Sequence, residues 1–288
     1  MKKAIWMTLG SIVCVQIGSA FAKNLFPVAG PLAMAWLRAT MGALLLILVV
    51  RPRLRGRGRA DWLSLLGYAG CLVTMNISFY QAMSRIPIGL AVTIEFLGPL
   101  AVALAKSRGL RDLIWVALAG FGVALLGWSP GSLTWTGIGF ALLAAACWAG
   151  YILVTPHVGR HWQGAQAVVC ANVAGSVVLV VPVLVWYAPV LAHPWVWATG
   201  LAVGLLSSVL PYGLELAALR TLDQRVFSIL MSVEPAMAAL FALIILGERL
   251  SPSDVVAMAC VIAASVGITV TAGRGRRLAA RDLKGERP

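Results

Sequence analysis

Four ionisable side chains stand where a chain of this kind should carry none: Arg38, Glu95, Glu215 and Glu234 all fall inside long apolar stretches. An ionisable group in a hydrocarbon environment costs about 2.5–3.5 kcal/mol on insertion scales, so such residues face a bundle interior or an aqueous cavity. Desolvation penalises the charged form of a carboxylate, which makes Glu95, seven residues into its stretch, a candidate for proton exchange or for pairing with a cation. A buried pair or hydrogen bond is the structural alternative. Glu234 directly precedes Pro235, and Glu95 lies four residues before Pro99. Proline removes a donor and disturbs the preceding turn, so both are expected at helix breaks. Glu234 then serves either as a polar cap or as a substrate or proton site.

Neutral polar residues recur at helical spacing around these four. Gln16 and Ser19 are three apart, Asn76 and Tyr80 four apart, and Trp148 and Tyr151 three apart. Ser208, Tyr212 and Glu215 follow i, i+4, i+7 and so share one face. Such groups can simply bridge helices. Taken together they describe a water-filled core lined by the first, third, fourth, sixth, eighth and ninth apolar stretches. Glu215 is near a span end, where water or Arg220 is its expected partner. Arg38 is expected to snorkel toward an interface, or else to meet the substrate.

The elements that must position these residues follow from composition. The chain has 288 residues, 60% hydrophobic and 11% charged, with a mean hydropathy of +0.91. A soluble domain carries about 25% charged residues, so a conventional soluble enzyme is excluded. Cutting at charges, prolines and glycines leaves ten apolar stretches, at 4–22, 32–50, 62–82, 89–105, 112–128, 135–154, 165–187, 196–217, 226–246 and 254–272. Each approaches the roughly 20 residues that a membrane helix needs. The expected fold is therefore an all-α integral membrane protein of ten transmembrane helices.

Charge sets the expected orientation. With the N-terminus in the cytoplasm, nineteen lysines and arginines fall inside and only Lys23, Arg85 and Arg249 outside, with Arg38 within a span. Both termini are then cytoplasmic, and the net charge of +13 needs no nucleic-acid partner. Trp6, Trp36, Trp62, Trp128, Trp135, Trp162, Trp186, Trp195 and Trp197 lie near span ends, as an interfacial belt requires; Trp148 does not. Met1-Lys2-Lys3, an apolar run and Ala20-Phe21-Ala22 also resemble a cleavable signal. Cleavage would leave nine spans, and an uncleaved first span is expected.

Ten spans divide into two halves of five, 1–134 and 135–272, followed by a basic tail at 273–288. An odd number of crossings per half inverts the second against the first around a central cavity, as in many secondary transporters. Spans four and nine, equivalent in the two halves, each combine a glutamate with a following proline. Other chemistry lacks parts. No GxSxG, Walker or Rossmann pattern occurs, which leaves hydrolysis, ATP drive and cofactor-dependent redox without a basis. The cysteines Cys14, Cys71, Cys147, Cys170 and Cys260 are odd in number and buried in apolar runs, which suits packing. His157 and His161 have metal spacing but fall in a loop with no carboxylate near them in sequence. Ser251-Pro252-Ser253-Asp254 reads as a capping box opening span ten. Ala259, Ala263 and Gly267 form a small-residue stripe, used for packing or for a dimer face, which leaves monomer and homodimer both open.

These residues also carry a family resemblance. The chain resembles, almost end to end, the EamA branch of the drug/metabolite transporter superfamily, and within it the threonine/homoserine exporter group. The likeness rests on Lys23-Asn24-Leu25-Phe26-Pro27, on Arg38, and on Gly89-Leu90-Ala91-Val92 leading to Glu95-Phe96-Leu97-Gly98-Pro99. In the second half it rests on Cys147-Trp148-Ala149-Gly150-Tyr151, Leu210-Pro211-Tyr212-Gly213-Leu214-Glu215 and Met231-Ser232-Val233-Glu234-Pro235-Ala236. It departs from the group's pattern at Asp223-Gln224-Arg225, where a proline-containing turn is expected. The resemblance implies a ten-helix inverted-repeat carrier that exports amino acids across the bacterial inner membrane by proton exchange, without a cofactor. Glu95 would pair with the substrate ammonium, aided by Tyr80, Trp148 or Tyr151. The substrate carboxylate would meet a broken helix near Pro99 or Pro235, and a hydroxyl would suit Asn76 or Gln16. A carrier for another small cargo, or an intramembrane lipid enzyme, are the rival classes.

Overall fold

A polypeptide in lipid must satisfy its backbone internally, and a chain this apolar does so with helices. The computed structural model describes residues 2–105, 112–126 and 133–283. The helices run in order: α1 (Lys2–Asn24), α2 (Phe26–Val49), α3 (Arg59–Met83), α4 (Ile88–Glu95), α5 (Leu97–Ala105), α6 (Asp112–Leu126) and α7 (Trp135–His161). They continue with α8 (Gln166–Leu191), α9 (Pro194–Gly204), a π-helical turn (Leu205–Val209), α10 (Leu210–Leu219), α11 (Gln224–Met231), α12 (Glu234–Leu246) and α13 (Pro252–Leu283). Among the described residues nine segments are long and apolar enough to cross a membrane, and Leu113–Leu126 is a shorter tenth. The fourth, seventh and eighth are composites: α4 with α5, α9 with the π turn and α10, and α11 with α12.

The breaks are local consequences of proline and glycine. Gly30 has φ 73°, ψ 154° just before Pro31, so the first turn of α2 is offset from the rest, and a Cβ at Gly30 would come within 2.4 Å of the Tyr187 ring. Pro99 is not itself the break in span four: the helix interrupts at Phe96, and Pro99 sits in the first turn of α5, where a missing N–H is tolerated. Pro235 follows the break between α11 and α12 in the same way.

Glycine also sets how closely the spans approach. A Cβ on Gly98 would lie 2.2 Å from the Ala145 carbonyl oxygen, and one on Gly89 2.8 Å from Ala239 Cβ, so α5 meets α7 and α4 meets α12 nearly backbone to backbone. The main core wraps these contacts with Tyr80, Met83, Ile88, Leu90, Ile94 and Leu37. Aliphatic side chains such as Leu48, Val177, Val181 and Val185 point outward, where lipid would cover them.

Several sequence expectations need correction. Trp36 (6% exposed) and Trp162 (1%) are packed inside the bundle rather than turned outward, donating to the carbonyls of Ser176 and Asp61; Trp128 lies outside the described residues. His161 does have a carboxylate beside it, for the fold brings Asp61 Oδ1 to 2.8 Å of its Nδ1. Arg57 joins them, donating to the His161 carbonyl and lying 4.5 Å above the Trp162 ring, so the start of α3 is tied to the end of α7. The small-residue stripe divides: Ala259 and Ala263 are exposed, whereas Gly267 is packed against Trp115 of α6. The capping box forms as read, with Ser251 N donating to Asp254 Oδ2 at 2.9 Å and Asp254 N to Ser251 Oγ at 3.2 Å.

Candidate functional site

Three prolines leave three carbonyls without the N–H that a regular helix would supply. Pro99 cannot serve Glu95, Pro211 cannot serve Ser207, and Pro235 cannot serve Met231. Each of these points lies in or beside a break that carries a functional candidate.

Glu95 is the last residue of α4 and 7% exposed. Among the described residues its carboxylate accepts no hydrogen bond. Phe96, at the break itself, stands edge-on to Trp148 of α7, with ring centroids 5.3 Å apart and planes at 87°. Trp148, which fits no interfacial belt, thus packs over the residue beside the glutamate.

Glu234 opens α12 and is 8% exposed. Its Oε1 accepts from Gln16 Nε2 of α1 at 3.4 Å. Its Oε2 and the Oε1 of Gln16 are fully enclosed, with no hydrogen-bond partner among the described residues. The break just before it is held by Ser232, whose hydroxyl lies 2.7 Å from that of Ser265 on α13. The same helix, α1, thus touches two of the carboxylates, Glu234 through Gln16 and Glu215 through Ser11.

Glu215 does not pair with Arg220. Ser11 of α1 donates to it at 2.5 Å, because α1 runs against α10 and presents a hydroxyl before the carboxylate can reach the end of its span. Tyr151 and Tyr212 pack nearby on the cluster formed by α3, α7 and α8. Tyr151 meets Tyr68, ring centroids 5.0 Å apart, rather than Trp148, its neighbour on the helix face. Tyr68 was not singled out from sequence. It stands eight residues, a little over two turns, before Asn76 on the same helix, and that spacing was the available signal.

Arg38 does not snorkel. Its Nη2 donates at 3.0 Å to the carbonyl of Ser207, the one Pro211 leaves free, and its guanidinium carbon lies 5.9 Å from the centroid of the Tyr80 ring. Tyr80 is wholly buried and its hydroxyl has no hydrogen-bond partner among the described residues. Asn76 donates back to the Leu72 carbonyl at 2.8 Å and shares with Arg38 and Asn172 a groove between α2, α3 and α8. Ser207 was missed because the π turn inserts a residue and moves Ser207 into the place that regular spacing assigns to Ser208. Proline four residues after a serine pair was the available signal.

The arrangement therefore holds two enclosed carboxylates at helix breaks, a third bonded to α1, a mid-span cation beside Tyr80, and the Phe96–Trp148 ring pair next to Glu95. Such an arrangement suits a small molecule bearing both charges.

Comparison with known proteins agrees with this chemistry. Residues 135–270 match the EamA-like transporter family. The threonine/homoserine exporter RhtA of Salmonella typhimurium strain LT2 is 38% identical over 290 residues, covering 98% of both chains. Its counterpart in Escherichia coli K12 is 37% identical over 289 residues with the same coverage. A solved crystal structure superposes with a TM-score of 0.65 over 95% of this chain and 99% of that one, at 17% identity, which is a likeness of fold. The identity to the exporters runs through both halves, well beyond the segment matched by the family. The chain is accordingly a multi-pass membrane transporter, not an enzyme, and belongs to the EamA-like transporter family, on its RhtA-like branch.

Proposed function

We propose that the protein is a secondary-active exporter of small amino acids of the threonine and homoserine type, working by alternating access in the bacterial inner membrane with both termini cytoplasmic. The observation that carries the reading is the placing of two enclosed carboxylates, Glu95 and Glu234, at breaks in spans four and nine of a chain that matches threonine/homoserine exporters over its whole length. Correspondence between those breaks also supports two inverted repeats, 1–134 and 135–272.

Glu95, open to a bonding partner and flanked by the Phe96–Trp148 pair, receives the substrate ammonium. Glu234, bonded weakly by Gln16 and with one free oxygen, carries the proton. A proton and an ammonium are alternative neutralisers of the same negative cluster, so arrival of one at the cluster disfavours the other. That competition couples outward release of substrate to inward movement of a proton. It divides between two glutamates the substrate and proton roles for which the sequence offered both as candidates. Gln16 and Asn76 are the candidates for the substrate hydroxyl.

The test is flux of labelled threonine and homoserine in proteoliposomes under an imposed pH gradient. Movement of either, accelerated by the gradient, is expected. Movement of bulky cationic drugs with no movement of amino acids would transfer the protein to another cargo class.

A further inference from the structure

A zwitterionic substrate brings a carboxylate as well as an ammonium, and the carboxylate needs its own site. The broken-helix N-termini are poor hosts. Glu95 immediately precedes the break before α5, and Glu234 is the first residue of α12, so each N-terminus already has a negative group beside it. A second carboxylate there meets like-charge repulsion. Among the described residues, Arg38 is the one lysine or arginine placed in the middle of a span, and every other lies at a span end or in a loop.

Arg38 is also held as a binding group would be. Guanidinium has five N–H donors in a planar fork, and the hydrogen bond found for it takes one nitrogen to the Ser207 carbonyl. The π turn and Pro211 create that acceptor, and π-bulges recur at functional sites. Close approach of the elements keeps it in place: a Cβ on Gly42 would sit 3.1 Å from Ser208 Oγ, and one on Gly204 2.7 Å from Met41 Cβ. One edge of the guanidinium is thereby fixed, and Arg38 lines the groove between α2, α3 and α8. Tyr80, whose ring the guanidinium approaches, contributes an enclosed hydroxyl with no partner among the described residues.

From this juxtaposition we infer that Arg38, braced on the Ser207 carbonyl by the π turn and assisted by the Tyr80 hydroxyl, is the anchor for the substrate α-carboxylate. The inference rests on the amino-acid reading above. It gives the carrier a two-point requirement, with carboxylate at Arg38 and ammonium at Glu95. Substrates lacking the carboxylate lose the first point and keep the second.

The experiment compares threonine with threoninol, which keeps the ammonium and hydroxyl but replaces the carboxylate by an alcohol. Binding of each to the purified full-length protein is followed by tryptophan fluorescence, alongside threonine flux in proteoliposomes. Wild type should bind threonine more tightly. Arg38→Gln should weaken threonine by roughly 10–100-fold, as expected for loss of a charge-assisted contact, while threoninol stays within about twofold. Tyr80→Phe should act in the same direction, more weakly. Arg38→Lys keeps the charge and a donor for Ser207, so it preserves the fold, but it loses the fork. Threonine should weaken about 3–10-fold and threoninol should not. Equal loss of both ligands in Arg38→Gln or Arg38→Lys, or an unchanged preference for threonine, would make Arg38 a packing residue and overturn the assignment. Failure of wild type to move threonine or homoserine would instead overturn the exporter reading itself, before any variant is compared.

Discussion

Lys23 Nζ lies 2.6 Å from Glu248 Oε1, joining the last turn of α1 to the segment just beyond α12. The same ammonium donates to the Ile86 carbonyl at 2.8 Å, and the other Glu248 oxygen accepts from Ile88 N at 2.9 Å. Three segments distant in sequence thus close over one end of the bundle, the end facing the periplasm in the proposed orientation. In the sequence Lys23 stood out as one of few external cations and as part of the Lys23–Pro27 motif, but its partner Glu248 did not stand out at all.

If this pair holds that end shut, weakening it should shift the balance of states. A part-exposed ion pair is worth about 0.2–1 kcal/mol, hence a shift of up to roughly fivefold in the open-to-closed ratio. Lys23→Glu and Glu248→Lys are each expected to slow threonine flux several-fold, and the double reversal to recover most of the loss. A double variant no better than the singles would show that the contact is incidental to transport.

The two core glutamates should separate by phenotype. Glu95→Gln is expected to reduce threonine affinity by roughly 10–150-fold through loss of an ionic contact. Glu234→Gln should leave affinity within a few-fold and abolish acceleration by the pH gradient. Flux against imposed gradient, normalised to protein level, reads both. Gradient-driven transport that survives intact in Glu234→Gln moves the proton site elsewhere in the cluster.

Close packing at the fourth span gives a stability prediction. Gly98→Ala places a methyl 2.2 Å from the backbone oxygen of Ala145, which cannot rotate away. Overpacking of this kind costs about 1–3 kcal/mol, so the detergent-purified variant should melt several degrees below wild type. Gly120→Ala, whose added carbon meets nothing within 4 Å, is the control and should melt with wild type.

Orientation is testable by fusion. A reporter placed after Pro288 should register in the cytoplasm, and N-terminal sequencing of the membrane protein should begin at or near Met1. Cleavage after Ala22 would remove Ser11 and Gln16, the partners of Glu215 and Glu234, and with them the proposed core.

Spans, their number and their lipid character were legible in the chain alone, because the free energy of placing some twenty apolar residues in hydrocarbon is a sum over local sequence. The same holds for the capping box at Ser251 and for the disturbance of helices near Pro99 and Pro235, each of which lies just after its break. Burial of Glu95 and Glu234 was legible too, since a glutamate inside such a stretch has nowhere else to go. Partners were not. Whether Glu215 meets Arg220 or Ser11, whether Arg38 reaches an interface or the Ser207 carbonyl, and whether Lys23 stays free or finds Glu248 depends on which helices lie side by side. That choice is made by the packing of small residues such as Gly89 and Gly98 against distant backbone, a short-range steric fit that no single stretch of sequence contains.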